Sequence, residues 1–531
     1  MSTASSATCL PQLLDPEKQS KQTHNSLTRA QDLYEVDLTP EEHPESMSSA
    51  RKWLIVLVIS GASLCVTCLS SAAAFAEGGM AADTPEEHPE SMSSARKWLI
   101  VLVISGASLC VTCLSSAAAF AEGGMAAEFH VSHLVTVLAV SLFVAGFGVG
   151  PLLVGPLSEV YGRNIIYQVS FTWLFIFSWP IVFAPNIAVM LVFRFLTGFC
   201  GSTFLSVAGG TVSDMFSDEA VANPMAIYTL SAFIGPIIGP LYSGFVNENI
   251  NWRWTFRIIL IWTFVQTVAI YLFVPETYIP VLRKRKAAAL RKSTGDPKYW
   301  APLDRQNKDL AKLIIISCYK PFELIIHDHM VMLLDTWTAV ILGILYLTFE
   351  AFPVIFQQQH GFTMQQTGMS FLGIGLGMIL AVPTQGYFNH YVHEAGSPES
   401  QLHKGEIGGI LVPIGLYVIA FTSYGSVHWI APIIGSIPFG AGVYLVFTSV
   451  FTYLVTAYRP VAASALASNS AMRFASAAAF PLFAGYMYEA LGTVGATALL
   501  AGVMTVMAPL PFIFRRIGAR LRKSSRFAAQ P

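Results

Sequence analysis

The chain has 531 residues, of which 54% are hydrophobic and only 12% charged. Soluble globular domains carry about 25% charged residues, so this composition excludes a wholly water-soluble fold and makes lipid the solvent for much of the surface. The formal net charge of −1 says little, because the distribution of charge matters more; no nucleic acid is expected to bind.

Residues 1–50 lack a long apolar run and are rich in Ser, Glu, Gln and Lys. They read as a disordered cytosolic tail without a secretory signal. Thr39–Ala82 then recurs letter for letter as Thr84–Ala127. Each copy holds one apolar run, Trp53–Ala76 and Trp98–Ala121, long enough to cross a bilayer. Structural repeats diverge and recur several times, whereas this one is exact and occurs once. The segment at 51–83 is therefore expected to be a surplus copy of the first span. The pairs Cys65/Cys68 and Cys110/Cys113 fall inside these runs, where four thiolates and a dication would be costly. They are read as packing residues, and no metal site or cofactor is expected.

Eleven further apolar segments follow, at 133–155, 165–184, 187–210, 224–246, 254–274, 331–356, 367–388, 407–424, 427–452, 461–488 and 493–514. With one copy of the duplicated run they make twelve. If spans alternate, one side receives Arg163, the basic stretch at 275–330 with Arg283, Lys284, Arg285, Lys286, Arg291 and Lys292, then Arg459 and the tail after Phe514. The positive-inside rule makes that side cytosolic, with both functional termini there. The expected architecture is all-α: an N-terminal six-helix bundle at 95–274, a basic linker at 275–330, a C-terminal six-helix bundle at 331–514 and a basic tail at 515–531. Carriers built as two such halves hold substrate between them near the midplane.

The turn after the second span reads Gly155-Pro-Leu-Ser-Glu159-Val-Tyr-Gly162-Arg163. Its glycines permit a tight turn and close helix approach, and Glu159 and Arg163 can pair across the helix ends. This loop resembles the signature loop of the major facilitator superfamily, with Glu159 where that loop usually has Asp. Arg194, in Leu-Val-Phe-Arg194-Phe-Leu-Thr-Gly198, lies inside an apolar span, where a charge costs about 2.5–3.5 kcal/mol on insertion scales unless it meets a polar cavity or partner. The resemblance makes it a proton-coupling residue; holding backbone carbonyls is the structural alternative. Span five carries Ser231-Ala-Phe-Ile-Gly235-Pro236-Ile-Ile-Gly239-Pro240, which resembles the antiporter motif of the same superfamily. Ser231 and Pro240 stand where glycines are usual.

Trp252-Arg253-Trp254, Pro275-Glu276-Thr277 and Asn469-Ser470-Ala-Met-Arg473 extend the resemblance, over residues 95–518, to twelve-span fungal drug:proton antiporters. That group implies a major facilitator fold with two six-helix bundles around a central cavity. It also implies proton-coupled efflux of a drug, toxin or polyamine across the plasma membrane, by a monomer whose partners are substrate, protons and lipid.

Glu350 sits deep in the seventh span, within Leu-Thr-Phe-Glu350-Ala-Phe-Pro353. A carboxylate there must be protonated, paired or hydrated, so it is the candidate proton carrier or cation site, with a structurally bonded Glu as the alternative. Arg194 and Arg473 are the other charges placed inside spans. The glycine runs at 146–150 and 373–377 mimic part of a dinucleotide loop, but they lie in apolar helices and are read as packing seams. His130, His133, His327 and His329 read as membrane-surface residues. An importer of the same topology remains open, as does a membrane-embedded enzyme, although neither HExxH nor G-x-S-x-G nor a nucleotide-binding P-loop occurs.

Overall fold

The computed structural model describes residue 89 and residues 92–216, 220–295, 298–301, 310–388 and 397–528. The tail at 1–50 and the first copy of the duplicated run lie outside the described residues. Every described element is a helix.

Apolar length dictates the pattern. Ten described segments are each long and apolar enough to cross a bilayer once: Ser94–Phe129, His133–Tyr161, Arg163–Val182, Ile187–Met215, Asn223–Asn249, Arg253–Phe273, His329–Gln359, Met364–Phe388, Pro398–Thr422 and Ile430–Ala457. The last segment, Ala462–Lys523, has 62 residues. Gly492 breaks it with φ +70°, so this segment crosses twice and the spans among the described residues number twelve. The helices overrun the apolar runs at several ends. Thus the run at 187–210 becomes a segment reaching Met215. The stretch at 275–330 is not a plain tether. It forms helices at Ile279–Thr294, closed by Gly295 in the left-handed region, and at Leu310–His327. The first of these is rich in Lys, Arg, Ala and Leu, which favour helix.

Spans one to six pack among themselves, as do seven to twelve, and the halves meet where span two lies against span eleven and span five against span eight. The seams are made of small residues. A Cβ on Gly146 would stand 2.6 Å from the Phe195 carbonyl oxygen, and one on Gly198 would overlap the Phe143 carbonyl, so spans two and four touch backbone to backbone. The Gly146–Gly150 run is thus a packing seam, as its setting in an apolar helix implies. Gly235 and Gly239 of span five press in the same way on Thr112 and Ser116 of span one. The motif in span five is a contact surface toward span one.

The basic end of the bundle is tied together by Arg163. Its guanidinium reaches Asp214 Oδ2 at 2.5 Å and the Val207 carbonyl at 3.3 Å, while its backbone N–H donates to Glu276 Oε1 at 3.0 Å. Glu276 also accepts from the Thr277 and Tyr278 amides. Asp214, not Glu159, is therefore the acid beside Arg163; the end of span four comes closer to it than its own loop does. Gly162 has φ +98°, and a side chain there would run into the Glu276 carboxylate. At the opposite end, Glu128 accepts from Arg253 at 2.6 Å and from the Trp252 indole at 2.7 Å. The sequence pairs Trp252-Arg253 and Glu276-Thr277 thus clamp the two ends of the N-terminal half.

Candidate functional site

The first span is discontinuous. Its α-helix stops at Ala117, passes through a 3₁₀ turn at Ala119–Ala121 and restarts at Glu122. A helix end leaves its last carbonyls without intrahelical partners. Arg194, fully buried, meets two of them, Nη1 donating to the Leu114 carbonyl at 3.0 Å and Nη2 to that of Ser115 at 3.3 Å, while its Nε donates to the Ala139 carbonyl of span two at 2.7 Å. Its guanidinium also lies 4.4 Å from the Phe143 ring centre. No carboxylate contacts Arg194 among the described residues; it is a cation that caps a broken helix inside the membrane.

The restarted helix begins with Glu122, which is 3% exposed. A helix N-terminus favours negative charge. Across the bundle interface, span seven also changes character: α-helix to Phe352, then a π-helical turn at Pro353–Gln359. Pro353 lacks the amide that would continue the regular ladder. Glu350 lies just before that change, and its carboxyl faces that of Glu122. Glu122, Glu350 and His133 each offer an atom within 4.8 Å of the others. His133 Nε2 is 3.2 Å from Glu122 Oε2, whereas Glu122 Oε1 is buried and receives no N–H or alcohol donor among the described residues. One turn before Glu350, the Tyr346 hydroxyl meets the Ser115 hydroxyl at 2.8 Å. A polar path therefore runs from Arg194 through the Ser115 backbone and Tyr346 toward the carboxyl pair, crossing from one half to the other.

Arg473 lies elsewhere. It is 8% exposed, donates to Ser470 at 3.3 Å and is ringed by Phe447, Phe451 and Phe474 at 5.3, 4.6 and 5.2 Å. Nearby in sequence, Ser468 and Asn469 donate to Asp335 Oδ2 and Oδ1, both at 2.9 Å. Asp335 is fully buried in span seven.

The structure thus brings Glu350 together with two residues that the sequence did not single out as partners. Glu122 stands one residue past the apolar run Trp98–Ala121, and His133 reads as a surface histidine; neither position signals contact with span seven. Asp335 is a further carboxylate inside a span, so Glu350 is not the sole acid there. Arg163, Gly155, Glu159 and Gly162 remain at the basic end, far along the helices from this pair.

A family model described as Major Facilitator Superfamily matches residues 102–481. The efflux pump atB of Aspergillus terreus is 47% identical over 394 residues, covering 72% of this chain and 83% of that protein. A probable drug/proton antiporter of Saccharomyces cerevisiae, YHK8, is 43% identical over 410 residues, covering 76% of this chain and 80% of that protein. Among solved structures, the partially occluded inward-open xylose transporter XylE from E. coli aligns with a TM-score of 0.57 at 15% identity, over 79% of this chain and 99% of that one, which is a likeness of fold. Twelve described spans in two halves, with discontinuous helices at the seam, and this family match lead to one assignment: the chain belongs to the major facilitator superfamily.

Proposed function

We propose that this protein is a secondary active transporter that exports a small organic compound in exchange for protons, with Glu122 and Glu350 as the proton-exchanging pair. The observation that carries the reading is the meeting of these two carboxyl groups between the halves. Like charges this close in an apolar setting cannot both persist, so the pair holds a proton, or another cation, while the halves are together there. Losing that proton makes the two acids repel and favours separation of the helix ends. That is the coupling an antiporter needs: a charge state tied to a conformation. The names of the relatives, efflux pump and drug/proton antiporter, support the direction and the driving ion. Drugs, toxins and polyamines are the substrate classes. Arg194 serves the coupling by holding the break in span one in register, and Arg473 lines the opposite half.

The positive-inside rule places the basic end in the cytosol, hence the carboxyl pair toward the outside, with the protein acting as a monomer in the plasma membrane. The experiment is uptake of a fluorescent drug into inside-out vesicles from a transporter-deficient host. Acidifying the lumen should drive uptake, and a protonophore should collapse it. Uptake that ignores the gradient, or a substrate that moves with protons rather than against them, overturns the reading.

The first copy of the duplicated run is surplus on this view. The family match begins at residue 102, inside the second copy, and the second copy forms the described first span. Deleting Thr39–Asp83 is expected to leave surface expression and efflux at parental levels. Loss of either shows that the first copy is needed.

A further inference from the structure

The geometry points to a zinc-type divalent cation site formed by Glu122, His133 and Glu350, through which such an ion clamps the two halves and arrests transport. It uses the carboxyl pair of the reading above but needs only the ligand set. Two carboxylates and an imidazole are the mixed oxygen and nitrogen donors that Zn²⁺ accepts, at about 2.0–2.2 Å, in a four-coordinate site completed by water. Such ligand atoms stand about 3.3 Å apart around a tetrahedral ion. The pair His133 Nε2 and Glu122 Oε2 is already at 3.2 Å, and all three donors lie within 4.8 Å, so closure needs only a small shift of Glu350.

A separate observation also points to a ligand. Glu122 is almost wholly buried, and its Oε1 meets no N–H or alcohol donor among the described residues, the facing group being a second acid, Glu350. Two buried acids face to face are costly unless a proton or another cation lies between them, and a bound metal ion fills that place. The entry path exists, since the His133 side chain is 62% exposed while that of Glu122 is 4% exposed. Mg²⁺ and Ca²⁺ prefer more oxygen ligands than this cluster offers, which favours the zinc class.

Glu122 and His133 belong to spans one and two, and Glu350 to span seven. A bound ion would therefore bridge the halves at the end away from the basic loops. A carrier that alternates by rocking one half against the other stops when that end cannot part.

The test uses the purified, tag-free full chain and the vesicles described above. Zn²⁺ at micromolar concentration should raise the melting temperature and inhibit gradient-driven efflux, and equal Mg²⁺ should do neither. His133→Ala should weaken both zinc effects at least about tenfold, each measured against that variant's own metal-free value, because loss of a direct ligand costs at least as much as the roughly 10–100-fold typical of outer-shell changes. His130→Ala, at an exposed neighbour outside the cluster, should leave both unchanged. A parent whose efflux and melting ignore Zn²⁺, or a His133→Ala variant as zinc-sensitive as the parent, overturns the site. Zinc binding that depends on His133 in a chain that shows no gradient-driven efflux supports the site while overturning the transport reading.

Discussion

Glu350→Gln is expected to leave a folded protein whose transport no longer follows the pH gradient. The amide keeps the shape of a protonated carboxyl, and its NH₂ can donate to the Glu122 carboxylate. The variant therefore resembles the protonated pair permanently. It cannot release a proton, so the cycle loses the step that separates the two halves at this end. Efflux from vesicles measured at several imposed gradients should be flat for Glu350→Gln, and Glu122→Gln should behave alike, since each holds half of the same pair. If removal of either acid matters by charge alone, Glu350→Asp should keep a gradient response with a reduced rate. A Gln variant that tracks the gradient like the parent, for neutral and cationic compounds both, makes Glu350 structural and ends its assignment as proton carrier.

Arg194→Ala is expected to damage stability and transport together. The guanidinium makes three hydrogen bonds to carbonyls of spans one and two. A bond with a charged partner contributes about 1.5–3 kcal/mol in soluble proteins, while bonds between membrane helices average nearer 0.6 kcal/mol. The loss therefore falls between ~2 and ~9 kcal/mol, before the contact with Phe143 is counted. A melting temperature lowered by roughly 2–10 °C follows for a chain of this size, together with loss of gradient-driven efflux, because the break in span one also positions Glu122. Arg194→Lys should recover part of the stability. Its compact ammonium lacks the planar fork that reaches three oxygens at once. Thermal melting in detergent, read beside vesicle efflux, checks both. A stable Ala variant with parental efflux removes Arg194 from both roles.

The twelve-span fold was legible because its cause is local. Each span is a stretch of apolar residues of bilayer length, and each basic loop marks a side. Even the last crossing, where helix runs through residues 461–514 with a turn at Gly492, shows as two apolar segments. Glu350 was legible for the same reason, as an acid in the middle of an apolar run. Its partners were not. Glu122 follows the apolar run by one residue and precedes two glycines, a setting that reads as a loop. His133 opens a span, where a histidine usually meets water. Asp335 lies near the start of span seven, and only packing against Ser468 and Asn469, more than a hundred residues on, shows that it is buried. Arg163 has its acid in Asp214 rather than in Glu159 nearby. Periodicity and hydropathy carry no information about which helix comes to lie against which.

The contact between spans one and five has a mechanical meaning. Gly235 and Gly239 sit so close to Thr112 and Ser116 that no methyl group fits between the helices. Such a joint has no backlash: one helix cannot tilt without taking the other along. Span five carries two prolines, Pro236 and Pro240, beside this joint, and span one carries Glu122 ten residues or less beyond it. A compound that bends span five is thus leaning on a lever whose far end holds a carboxyl group. The stiffness of the joint, rather than any side chain in direct touch with cargo, would set how much of that push arrives.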